Sequence, residues 1–136
     1  MAGGQIYPEG AESLNLKTFE RLRVGEERDT EWVELPQLKV ARRQLGCAVV
    51  RSKSGQMGVV VVGGTGDDKE AETAVEFFSL EAGQEADWER WPDLTTPRCC
   101  WPQVGMLENN IVAIGGEKRP SNTFEKFDPE VRLVVR

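Results

Sequence analysis

The sequence predicts an all-β protein of short antiparallel strands, and three observations carry that prediction. No stretch of about a dozen residues shows the one-sided apolar stripe of an amphipathic helix. The apolar runs are short, rich in Val, Ile, Phe and Trp, and separated by Gly, Pro, Asp and Asn. A unit of about 50 residues recurs along the chain.

The repeat places the strands. Double glycines stand at Gly3-Gly4, Gly63-Gly64 and Gly115-Gly116, the last two at the ends of GVVVVGG (58–64) and NIVAIGG (110–116). A second element follows each pair: KTFERL (17–22), TAVEFF (73–78) and NTFEKF (122–127). A third reads WVELPQL (32–38) and WERWPDL (88–94), in which Trp32 and Trp88 each lie 12 residues beyond a shared Glu, Glu20 and Glu76. Then come Arg42 or Arg98 and a further apolar strand, GCAVV (46–50) or QVGML (103–107). The expected strands are 16–22 and 31–35; then 46–51, 57–62, 73–80 and 86–91; then 103–107, 110–114, 122–127 and 131–135. The segment 69–78 is rich in Ala and Glu, which favour helix. Its match to NTFEKF assigns its end, Thr73 to Leu80, to a strand.

Val59 to Val62 is apolar at successive positions, so both faces of that strand require cover. Sheets stacked face to face around an axis supply it, as blades do in a propeller. Trp32 and Trp88 are then expected to fill the space between neighbouring sheets, where an indole has most area to bury. Each Gly-Gly marks a strand end that needs positive φ or close backbone approach.

Four hydrophobic residues before Gly-Gly, an aromatic element with Asp-Pro and then a Trp resemble the kelch repeat of β-propellers. The matching residues are VVVVGG (59–64), IVAIGG (111–116), Glu76-Phe77-Phe78, Glu125-Lys126-Phe127-Asp128-Pro129, Trp88 and Trp32. Phe stands where that family usually has Tyr, and the resemblance covers about residues 15–136. It implies an all-β, incomplete kelch-type β-propeller of four-stranded antiparallel blades, with no significant helix. Residues 1–14 are expected as an N-terminal loop, 15–45 as a half blade of outer strands with its connection, 46–102 as a full blade with its connection, and 103–136 as a second full blade. Gly63, Gly64, Gly115, Gly116, Trp32 and Trp88 take structural roles. Propellers close with about 4 to 8 blades, so this array does not close alone. The chain is therefore expected to be a piece of a larger propeller, because its first Met stands two residues before an in-register Gly-Gly. Self-association through open blade faces and poor folding in isolation are the alternatives.

Composition narrows the function. The 136 residues include no His, so neither a Ser-His-Asp triad nor a Cys-His dyad is available within them. Mixed Cys/His zinc sites are excluded on the same ground. The three cysteines, Cys47, Cys99 and Cys100, fit neither a disulfide framework nor a thiolate cluster, so an intracellular, cytoplasmic location is expected. Cys47 is expected as a small core residue. Net charge is −6, and residues 65–93 hold ten acidic groups against Lys69 and Arg90. No basic surface is concentrated enough for phosphate backbones, so neither nucleic acid nor an anionic membrane is an expected partner. No cofactor, metal or catalytic residue is expected. GGTGDD (63–68) lacks the phosphate-loop spacing and the calcium-loop pattern and reads as a solvated turn.

The expected function is that of a non-enzymatic protein–protein interaction module, which displays loops that recognise a protein or peptide. In similar repeats partners dock on the face built from two kinds of loop. The resemblance places them at 65–72 and 117–122, and at 36–45 and 92–102. The candidate contact residues are Arg42, Arg43, Asp67, Asp68, Glu70, Arg98, Lys118 and Arg119. Arg42 and Arg98 hold matched positions, which also suits a structural role. Arg43 has Cys99 as its counterpart and escapes the repeat, as a unique contact residue would. Alternatives are part of an enzymatic, oxidase-like propeller whose reactive residues lie elsewhere, or a structural segment that assembles with copies of itself.

Overall fold

The computed structural model describes residues 2–6, 14–24, 30–52, 54–82, 86–117, 123–128 and 134–135. Among them all regular structure is β, and none is helical. A first sheet holds β1 (Ala2–Ile6), β2 (Leu14–Val24) and β3 (Thr30–Leu35). A middle sheet holds β4 (Gly46–Arg51), β5 (Met57–Val62), β6 (Val75–Ser79) and β7 (Glu89–Trp91). A third sheet holds β8 (Gln103–Leu107), β9 (Asn110–Ile114), β10 (Phe124–Phe127) and β11 (Val134–Val135). Every pairing is antiparallel and joins strands consecutive in the chain.

The middle sheet is sandwiched, which explains its unbroken apolar runs. Val60 and Val62 of β5, with Val75 and Phe77 of β6 and Trp91 of β7, pack on Ile111, Ala113 and Phe127 of the third sheet. Val61, Phe78 and Trp88 pack the other way, on Phe19 of the first sheet and Leu38 of the connection. Successive side chains point to opposite faces, so β5 feeds two cores at once. Each valine brought fully out of water contributes about 1.5–3 kcal/mol. Aromatic contacts set the geometry of both cores. Phe77 stacks on Trp91 with centroids 4.4 Å apart, and Trp88 meets Phe19 edge-on at 5.0 Å. The Phe77 ring also lies over Gly58, where an added Cβ would collide with it.

Four expectations are corrected. Residues 2–6 lie within the segment expected as a loop, yet they form β1, paired with β2. Cys47 is exposed rather than in the core, as is Val49, because the first sheet has three strands to the middle sheet's four and leaves this end of β4 uncovered. Trp32 is 60% exposed, on the face of the first sheet turned away from the middle sheet. The strand expected over 73–80 covers only Val75–Ser79, because its partner β5 turns into left-handed backbone at Gly63, opposite Ala74, and the ladder ends there. The last expected strand, 131–135, is described only at 134–135.

Chemical denaturation will separate these environments. Phe77→Ala is expected to cost about 3–5 kcal/mol, because the stacked core empties on both sides of the ring. Gly58→Ala is expected to cost about 1–3 kcal/mol through overpacking against that ring. Val49→Ala should stay within about 0.5 kcal/mol.

Candidate partner-binding face

Two connections, 36–45 from β3 to β4 and 92–102 from β7 to β8, are held to the following sheet by the same device. Glu76 on β6 accepts from the backbone N–H of Lys39 (2.8 Å) and of Val40 (3.1 Å). Glu125 on β10 accepts from the N–H of Thr95 (2.7 Å) and of Thr96 (3.1 Å), and from the Thr95 hydroxyl. Each carboxylate also meets an arginine of the same connection: Arg42 Nη2 to Glu76 Oε1 at 2.9 Å, and Arg98 Nη2 to Glu125 Oε1 at 3.2 Å. Both guanidinium groups are wholly buried.

The arginines reach on to the glycine pairs. Arg42 Nη1 donates to the carbonyls of Gly63 and Ala74, and Arg98 Nη1 to that of Gly115. Gly63 and Gly64 have φ of 60° and 105°, and a Cβ on Gly64 would come within 2.8 Å of the Arg43 carbonyl. Left-handed backbone and close approach therefore both demand glycine there. Arg98 uses all three nitrogens, with Nε also reaching Glu125 and Nη2 the Thr123 hydroxyl. Arg42 is less well served. Among the described residues its Nε has no acceptor, and its Nη2 contact with Glu76 lies off the line of a hydrogen bond. Burial lowers the Arg42 pKa from its ordinary value, and Glu76 and Glu72 oppose that pull.

These clasps gather the loop ends on one face. Arg43 forms a two-way backbone bridge with Thr65, and its Nη1 donates to Asn15 Oδ1 at 2.8 Å. The Thr65 hydroxyl contacts Gln44 Oε1 and the Cys99 carbonyl, and Trp101 N donates to the Gln44 carbonyl at 2.9 Å. Trp101 is 63% exposed at φ 50°, a left-handed conformation that a bulky side chain adopts at a cost of about 1–3 kcal/mol. Asp67, Asp68, Lys69 and Glu70 project from the neighbouring turn, where Asp68 Oδ1 accepts the Glu70 N–H.

The sequence candidates divide accordingly. Arg42 and Arg98 are corrected: full burial in the clasps removes them from any contact surface. Arg43, half-buried, lies beside Gln44 and Thr65, and Asp67, Asp68 and Glu70 are exposed on the adjoining turn. Lys118 and Arg119 lie outside the described residues. Trp88 is buried between sheets as expected, with its indole N–H donating to the Pro36 carbonyl. Trp101 was overlooked as a site residue. The signal was present, since Trp101 has no aromatic counterpart in the preceding repeat, the same break in pattern that singles out Arg43. A separate groove of about 410 Å³ opens at the rim between the first and middle sheets, over Leu35, Phe78 and Leu80, with Arg21 and Arg23 beside it. Arg23 is engaged there by Glu31.

No protein-family model matches the chain, and no curated protein matches it.

Removing one clasp carboxylate strands a buried guanidinium. Glu76→Ala and Glu125→Ala are each expected to cost about 3–5 kcal/mol in urea denaturation. Replacing Arg42 and Glu76 together by methionine removes the unpaired charge but still leaves the Lys39 and Val40 N–H groups without their acceptor, so it should recover only part of that loss. Glu72 gives a pH signature. Burial raises its carboxyl pKa above the ordinary value, with Arg42 opposing. A raised folded value favours the protonated form, so its contribution is fully present below the unfolded pKa and is lost as pH rises through the folded one. Glu72→Gln should therefore gain stability relative to the parent chain as pH rises from the acid range to neutrality.

Proposed function

We propose that this chain is a non-enzymatic protein-interaction module, a kelch-like array of β-propeller blades in which the three sheets are successive blades. The matched Gly-Gly pairs, the two equivalent Arg–Glu clasps and the consecutive antiparallel sheets support the blade reading. The observation that carries the interaction role is Trp101, an indole held out to solvent in a strained conformation on a clasped, rigid loop. Strain is kept where a side chain must be aimed, and a preorganised exposed aromatic is a frequent hot spot of protein interfaces.

The ligand that suits this face is an extended peptide with an apolar side chain for Trp101 and a basic group for the turn at Asp67, Asp68 and Glu70. Arg43 offers a further charge-assisted contact. The exposed carboxylates supply complementary charge and orientation more than affinity. Among the described residues no acid–base pair converges there, since Asp68 is engaged in its own turn and Arg43 with Asn15.

A displayed random-peptide library, selected on the immobilised 136-residue chain, tests the proposal. Saturable binders with a basic and an apolar position are expected. Trp101→Ala should weaken them about thirtyfold, the ~2 kcal/mol of an aromatic hot spot. Arg43→Glu should weaken them also, and Val49→Ala on β4 should not. Absence of saturable binders, or binders indifferent to Trp101, would overturn the proposal.

A further inference from the structure

The first and third sheets each present an outer face that no described element covers, and the repeat shows what those faces are shaped to meet. Inside the molecule, the first-to-middle contact is built on Phe19 and Trp88, with Phe78 beside them. Phe19 stands immediately before Glu20 on β2, and Phe124 stands immediately before the equivalent Glu125 on β10. Trp88 lies 12 residues beyond Glu76, and Trp32 lies 12 beyond Glu20. Phe78 is two residues beyond Glu76, and Leu22 is two beyond Glu20. The residues that meet inside the molecule therefore recur on its two outer faces. Trp32 and Leu22, directly opposite each other across β2 and β3, occupy the outer face of the first sheet. Phe124, opposite Ile114 across β10 and β9, occupies the outer face of the third.

All four outer residues are exposed, Trp32 by 60%, Ile114 by 53%, Phe124 by 52% and Leu22 by 41%. The third face also holds a hollow of about 340 Å³ over Gly105, Val112 and Ile114, where Gly105 leaves open space. Large exposed apolar side chains grouped on one sheet face mark an interaction surface.

We infer that the occupant of each face is a second copy of this chain, with the first sheet of one protomer packed on the third sheet of the other. In that arrangement Trp32 of one protomer meets Phe124 of its partner as Trp88 meets Phe19 inside each chain. Leu22 takes the place of Phe78 in the same contact. The inference rests on the blade reading above. Three sheets from each of two protomers make a ring of six, within the range of about four to eight at which propellers close. A two-fold axis along the ring centre relates the two junctions, so both faces of each protomer are covered and no apolar face is left to extend a filament.

Size-exclusion chromatography with light scattering on the 136-residue chain, together with far-ultraviolet circular dichroism, tests this. The expected result is a monodisperse species of twice 15.2 kDa. Trp32→Asp and Phe124→Asp should each yield β-rich monomers, with association weakened more than about tenfold. The decisive arm mixes the two variants. In the head-to-tail ring one junction of the mixed pair carries both lesions and the other carries neither, so mixing restores dimers. A face-to-face dimer of like sheets would lose association with only one of the variants. That result overturns the inference, as does a folded monomer or an open-ended series of masses. A folded monomer that still selects Trp101-dependent peptides would leave the interaction role standing, whereas a dimer without such peptides would separate the two in the opposite sense.

Discussion

The buried arginine–carboxylate clasp is the constraint on which this architecture depends. A sheet covered on both faces must be joined to its neighbours by connections that cross the ends of the strands. Such a connection carries backbone N–H groups to a place where water is scarce, and each needs an acceptor. Glu76 and Glu125 meet that need for Lys39, Val40, Thr95 and Thr96. Burying the carboxylates requires a counter-charge, and Arg42 and Arg98 supply it from the same connections. The guanidinium groups then use their remaining donors on carbonyls at the strand ends, which brings the Gly-Gly pairs into the same network. One motif thereby fixes the spacing between sheets, the course of each connection and the glycines' backbone.

The clasp also holds the residues of the proposed contact face in place. Arg43, Gln44, Cys99 and Trp101 lie one to three residues beyond the clasp arginines. Their backbone is tied to Thr65 and to one another across the two connections. An exposed indole on a mobile loop would lose ordering entropy when it bound, whereas one on a clasped loop has already lost it. The strain at Trp101 is sustainable because the hydrogen bonds around it over-determine the path of the chain.

Much of the fold was legible because the repeat and the local strand pattern agree. The bounds of β4, β5, β8 and β9 coincide with the expected strands, since each is an apolar run closed by charged, turn-forming or glycine residues. The ends of β6 and β7 were less legible. Ala74 and Trp88 look like strand residues, but Ala74 lies opposite the left-handed Gly63 and the Asp87 side chain takes the Trp88 N–H. β1 was hidden because AGGQI has little apolar character and acquires its structure by pairing with β2. Trp32 and Trp88 look equivalent in sequence, and their burial differs only because one has a sheet in front of it. Neighbours decide such a matter, and a single repeat unit does not encode them. The arginines were ambiguous for a related reason, because a matched position suits a clasp and a contact surface equally until burial is known.

Native-state amide hydrogen exchange at Lys39, Val40, Thr95 and Thr96 tests whether the clasps hold the connections. These amides belong to connections, where exchange is ordinarily fast. Protection close to that of the β5 amides is expected. Selective loss at Thr95 and Thr96 is expected in a Glu125→Ala chain, which has no acceptor there, with Lys39 and Val40 still protected. Rapid exchange at all four in the parent chain, or protection at Thr95 and Thr96 that survives the substitution, would show that the clasps do not hold them.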